Sequence, residues 1–161
     1  MSLESFGNWL YDTSVSTGLR EVTWIIPTAQ SVHILAIAIV VGSALISDLR
    51  LAGVLATDES PSAVVRRYLP WMWVALIVLL ATGTIMVVAE PSRTLTNTLF
   101  WAKMALVLLA FALTLFFRKP LLNPAFRLEH AGWAAMVKPA AWISLSVWVA
   151  VIFCGRWIAY T

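Results

Sequence analysis

Four stretches of this chain carry no formal charge, and that feature decides the solvent in which it can fold. No charged residue lies between Glu21 and Asp48, between Arg67 and Glu90, between Lys103 and Arg118, or between Lys138 and Arg156. A helix rises 1.5 Å per residue, so about 20 apolar residues cross the roughly 30 Å of hydrocarbon in a bilayer. The first two runs are long enough. Pro27 fits a first helical turn, where its missing N–H costs nothing, and predicts a helix over about 25–47. Pro70 can open a second over about 68–89, which Glu90-Pro91 ends. The fourth run has 17 residues, about 26 Å, barely a span. It predicts a helix over about 139–158.

The third run is the informative one. Met104–Phe117 gives about 21 Å, too short for the bilayer. The helix must extend back through "TLFWAK", over about 96–117, and so take Lys103 into the membrane or its interface.

Composition agrees with lipid as the solvent. Of 161 residues, 61% are hydrophobic and only 12% charged. A soluble domain carries about 25% charge, and half of that cannot cover a water-facing surface. The net charge of +3 does not point to nucleic acid, because the eleven Lys and Arg residues are scattered and most flank the apolar runs. The single cysteine, Cys154, excludes an intrachain disulfide and reads as a small buried hydrophobe. The N-terminus has no basic residue before Arg20 and no continuous apolar core, so it is not a secretory signal. The first span then directs insertion itself. Ser2 can cap a short helix in which Leu3, Phe6, Trp9 and Leu10 recur at helical spacing, an amphipathic element for the interface plane. "AFRLEHAGWAAM" can form another short helix lying on the membrane. The expected fold is therefore all-α: one integral-membrane domain over 1–161, a four-helix bundle with a short N-terminal interfacial helix.

Basic residues set the orientation. Arg50, Arg66 and Arg67 lie in the first interhelical loop, and Arg118, Lys119, Arg127 and Lys138 in the third. The opposite side has only Arg20, Arg93 and Arg156. The positive-inside rule puts both loops in the cytoplasm and both termini outside, which in a bacterial inner membrane means periplasmic. Trp24, Trp101 and Trp157 then fall at outer helix ends, and Trp71, Trp73 and Trp142 at inner ends, where indoles favour the interface.

This topology gathers chemistry at one depth. His33 lies about two turns below the outer surface. Ala29, Ala36, Val40, Ser43 and Ser47 fall within about 80° of it on the helix, a small, weakly polar face suited to close packing, so the ring should point into the bundle. Lys103 and Arg156 sit at a comparable level, as do Met86 and Glu90. An ionisable group in a bilayer costs about 2.5–3.5 kcal/mol on insertion scales and is a functional hypothesis by default. Each has a plainer reading. Lys103 can snorkel or pair with Glu90, Arg156 can anchor at the interface, His33 can hydrogen-bond a neighbouring helix, Met86 can be packing, and His130 a solvated loop residue. The inner half offers no equivalent: Asp48, Arg50, Arg66 and Arg67 read as loop or loop-edge residues. With no nucleophile motif, phosphate loop or repeat, no catalytic residue is nominated.

"SVHILAIAIVVGSALISDLRLAG", "RRYLPWMWVALIVLLATGTIMVVAE", "FWAKMALVLLAFALTLFF" and "WVAVIFCGRWIAY" resemble a family of uncharacterised bacterial four-helix inner-membrane proteins over nearly the whole chain. More distantly, an intramembrane histidine in the first span and a W-x-K opening the third resemble the HemJ/CopD group, whose small bundles handle haem, porphyrin or copper. That resemblance implies haem b, with His33 as axial metal ligand, Met86 or Met104 as a second, and Lys103 and Arg156 against the propionates. Relatives often carry a histidine near the end of the third span, where Thr114 or Phe117 stands here. Two other functions compete with a haem-linked or redox role. One is a non-enzymatic structural or assembly subunit of a membrane complex. The other is a small carrier or an oligomeric channel. Beyond the lipid bilayer, the expected partners are further copies of the chain or other subunits of a complex.

Overall fold

The computed structural model describes residues 2–123 and 131–160. The described chain is helical, without strands. Its helices are α1 (Leu3–Tyr11), α2 (Ser14–Glu21), α3 (Ile25–Leu51), α4 (Pro61–Ala89), α5 (Pro91–Leu95), α6 (Thr98–Arg118) and α7 (Ala131–Trp157). A 3-10 turn, Lys119–Leu122, continues α6. Four of these helices, α3, α4, α6 and α7, are long and apolar enough to cross a membrane.

Local chemistry sets the helix ends. Ser2 caps α1 by accepting the Ser5 N–H at 3.1 Å, and Thr13 caps α2 by accepting that of Ser16 at 3.3 Å. The N-terminal segment thus makes two short helices where sequence indicated one. The second spanning helix starts at Pro61 and not near Pro70. Ser60 accepts the Ala63 N–H and Pro61 occupies the first turn, a strong start signal that precedes the charged pair Arg66-Arg67. Pro70 then lies inside the helix.

At the end of α3, Gly53 adopts φ +79°, the left-handed conformation that glycine tolerates best. Gly53 N–H bonds Arg50 O at 3.0 Å and Val54 N–H bonds Leu49 O at 2.9 Å, the two bonds of a Schellman motif that reverses the chain. The last helix also starts early. Ala131–Met136 is continuous with α7, so these residues do not form a separate surface helix, and Pro139 lies within α7. The rest of that loop segment, including His130, lies outside the described residues.

The helices alternate in direction. Packing is most extensive within two hairpins, α3 with α4 and α6 with α7, and α3 also packs on α7 to join them. Between α4 and α6 larger side chains bridge the gap: Trp73 meets Phe111 edge-on, ring centroids 5.0 Å apart. The core is built of small residues, including Ala36, Val40, Ala44, Ala75 and Ala110, with Met72 and Trp148 filling the wider parts. Small interfacial residues let helices approach closely, which is how helices associate where lipid removes the hydrophobic drive. Ile34, Leu35, Ile77, Leu80, Leu108 and Phe153 point outward, a pattern suited to hydrocarbon.

The N-terminal helices form a clasp over the end of α4. α1 packs on α5, and Gly7 permits it, since a Cβ there would lie 3.0 Å from Ser92 Cα. The Arg20 guanidinium donates to Ser16 Oγ at 2.6 Å, Ala89 O at 3.1 Å and Tyr11 O at 3.0 Å, and lies 3.6 Å over the Tyr11 ring. It thereby satisfies a carbonyl in the last turn of α4, which has no intrahelical partner. Sequence reading had taken Arg20 only as one of the few basic residues on its side.

Candidate functional site

The polar side chains of the bundle fall in two layers. One lies at the terminal end, where α3 and α6 begin and α4 and α7 finish. The other lies at the loop end. His33 and Asp48 on α3 are 15 residues apart, as are Lys103 and Arg118 on α6, so the layers are separated by about 22 Å of helix.

In the terminal layer, the reading of the His33 face agrees with the packing. Ala29, Ala36, Val40, Ser43 and Ser47 are all buried, and His33 is half-buried among the helices. Its Nδ1 lies 2.7 Å from Thr82 Oγ1 on α4. The Thr82 hydroxyl has one proton, and the Val78 carbonyl lies within its reach at 2.7 Å. When Val78 takes that proton, the hydroxyl accepts from His33 Nδ1–H, the tautomer that leaves Nε2 with a free lone pair. Nε2 has no hydrogen-bond partner among the described residues. Gly83 keeps the ring edge open: a Cβ there would stand 3.6 Å from His33 Cε1.

Lys103 crosses from α6 onto α7. Its Nζ would lie 3.5 Å from a Cβ at Gly155, an ordinary contact distance, so the lysine side chain runs against α7 there. The ammonium lies in the neighbourhood of both the His33 ring and Cys154. Among the described residues no carboxylate or hydrogen-bond acceptor meets the ammonium. The suggested pair with Glu90 does not form. Glu90 is exposed at the end of α4 and pairs instead with Arg93 at 3.7 Å, three residues on. Met86 is half-buried one turn beyond Thr82 on the same face of α4. Arg156 is exposed and turned toward the C-terminus, donating to the Tyr160 hydroxyl and stacking 4.8 Å over its ring. The structure thus brings His33 and Lys103 into one neighbourhood and leaves Arg156 at its rim. Among the described residues no three of His, Cys, Asp and Glu gather as a metal-binding group.

The loop layer corrects the expectation that this half of the bundle is featureless. Arg118 Nη2 lies 2.6 Å from Asp48 Oδ1, with each side chain only 2% exposed. Arg118 also donates to Met72 Sδ at 3.0 Å and to Ser144 Oγ at 3.4 Å, so α3, α4, α6 and α7 all converge there. Asp48 is not a loop-edge residue, because α3 runs on to Leu51 and carries it inside. The signal was in the sequence. Asp48 follows Val40 and Ala44 at four-residue steps, and both are buried. Arg118 follows Ala110 and Thr114 at four-residue steps, and both are buried. Thr82, Gly83 and Gly155 were also missed. The first two stand together in the aliphatic run "LLATGTIM", where a polar side chain and a gap are equally out of place.

The profile of a family of unknown function, DUF6644, matches residues 20–161. No curated protein and no solved structure matches the chain.

Proposed function

We propose a function for this chain, which belongs to the DUF6644 family of unknown function and is a multi-pass helical membrane protein: it holds a haem-type macrocycle in the terminal half of the bundle, with His33 as axial ligand. The observation that carries this reading is the Thr82–His33 hydrogen bond. A metal-ligating histidine donates its other ring N–H to a fixed acceptor, which sets tautomer and orientation. His33 protonated at Nδ1 has that arrangement, with Thr82 as the acceptor and Nε2 left free. A bare metal ion would need several protein ligands, and the described residues assemble no His, Cys, Asp and Glu group. A metal already held by a macrocycle would need only one or two donors from the protein. Met86 is the candidate for the second. Lys103, a half-buried cation lacking a partner among the described residues, suits a propionate carboxylate, and Arg156 at the rim suits the other. Haem bound here would supply electron transfer or be handed on as cargo. The chain's own residues orient it, exclude water and neutralise its carboxylates.

The middle of the bundle supports binding over conduction. Ala36, Val40, Ala44, Ala75, Ala110 and Val147 are buried between the two layers, and the polar side chains buried there, Ser43, Ser47 and Thr114, are small and uncharged. The basic-residue asymmetry supports an orientation with the His33 site near the periplasmic face of a bacterial inner membrane. The test is the visible spectrum of the purified protein and of haem titrated into it. A Soret band that His33→Ala abolishes supports the reading; a colourless protein that takes up no added haem refutes it.

A further inference from the structure

The Asp48–Arg118 pair leaves two hydrogen-bonding atoms unmatched. Only Oδ1 of Asp48 meets the guanidinium; Oδ2 is buried with no partner among the described residues. The indole Nε1 of Trp148, a residue only 4% exposed, is also buried and unpartnered. One is an acceptor and the other a donor, and neither can reach water in a site this closed. Leaving such groups unmatched is among the more expensive features a native core can carry, so each calls for a specific explanation.

Ser144 links the two residues. Ser144 and Trp148 are one turn apart on the same face of α7. Long side chains on a helix lean toward its N-terminus, over the preceding turn, which carries the Trp148 indole over Ser144. Ser144 Oγ is 3.4 Å from Arg118 Nη2, and its hydroxyl faces the Asp48 carboxyl group without making a hydrogen bond to Oδ2. The ion pair is neutral as a unit, and a further unpaired ion in this dry region would pay desolvation with no counter-charge. What completes the site must therefore be uncharged, must donate to Oδ2 and must accept from Nε1. A hydroxyl group does both.

We infer that Asp48, Arg118, Ser144 and Trp148 form a second binding site, at the loop end of the bundle, for one small uncharged molecule bearing a hydroxyl. Water and the hydroxyl of a membrane-soluble alcohol share this chemistry. The site is independent of any haem at the other end.

The test uses the full-length protein in lipid nanodiscs. Infrared spectra in ordinary and in ¹⁸O-labelled water are compared, and the Trp148 indole N–H is followed by NMR, assigned through its loss in Trp148→Phe. A buried water is expected as an ¹⁸O-sensitive O–H stretch that disappears in Trp148→Phe, together with a hydrogen-bonded indole N–H that shifts in Asp48→Asn. An alcohol is expected to leave no ¹⁸O-sensitive band but to keep the indole hydrogen-bonded, and to be released on denaturation as a hydroxyl compound identified by mass spectrometry. Trp148→Phe preserves the ion pair, so the test stands if Asp48→Asn fails to fold. A free indole N–H with no ¹⁸O-sensitive band overturns the inference.

Discussion

His33 and Thr82 join α3 to α4 through a 2.7 Å contact between Nδ1 and Oγ1, and the threonine hydroxyl also lies 2.7 Å from the Val78 carbonyl. Two helices are tied by one polar bond in an otherwise aliphatic stretch, and the imidazole is left with its reactive nitrogen unengaged.

Thr82→Val removes the acceptor and keeps the shape. The ring would lose its fixed tautomer and its aim, so haem affinity should fall by about 10–100-fold, the usual effect of losing such a supporting hydrogen bond. Haem titration followed at the Soret band measures it. Unchanged affinity would mean that the threonine does not position the ring.

Lys103→Leu separates two roles. Because no partner among the described residues would be abandoned, the unliganded protein should melt at the same temperature or higher, and insertion should be unimpaired as the apolar run lengthens. Affinity for haem should fall, while affinity for a haem with esterified propionates should be unaffected by the substitution. A clear drop in the stability of the unliganded protein would instead reveal a structural partner.

The buried pair at the other end behaves oppositely. Asp48→Ala or Arg118→Ala strands an ion that is 98% removed from solvent and should destabilise the fold by about 3–5 kcal/mol. Replacing both with apolar residues of similar size, Asp48→Leu with Arg118→Met, should recover most of that loss. Unfolding in detergent of Asp48→Leu, Arg118→Met and the two combined forms a double-mutant cycle and gives the coupling. Single variants as stable as the parent would show the pair to be energetically idle.

The orientation rests on charge counting and is checked by reporter fusions. Fusions after position 161 should report the periplasm, and fusions near Asp58 or His130 the cytoplasm. The reverse pattern would place the His33 site at the cytoplasmic face.

Much of the fold was legible because apolar run length and helix rise leave few alternatives in lipid. The His33 face was legible for a similar reason, since its small residues recur at helical spacing. The loop layer was not legible, because charge was used to mark helix ends. Asp48 and Arg118 each look like a boundary alone, and only their pairing across α3 and α6 lets both helices carry charge inward. The early starts of α4 and α7 were hidden by Pro70 and Pro139, which sequence reading takes as helix starts but which long, well-packed helices accommodate internally. The clasp through Arg20 depends on backbone carbonyls at Tyr11 and Ala89, which no side-chain pattern announces.

The most direct measurement is haem titration of the purified protein and its His33→Ala variant in detergent, followed by visible absorption. Binding through a free Nε2 predicts a Soret band at one haem per chain in the parent, its loss in His33→Ala, and a melting temperature for the unliganded variant close to that of the parent. A parent that binds no haem, or a variant that binds it equally well, would contradict the assignment of His33 as the ligand.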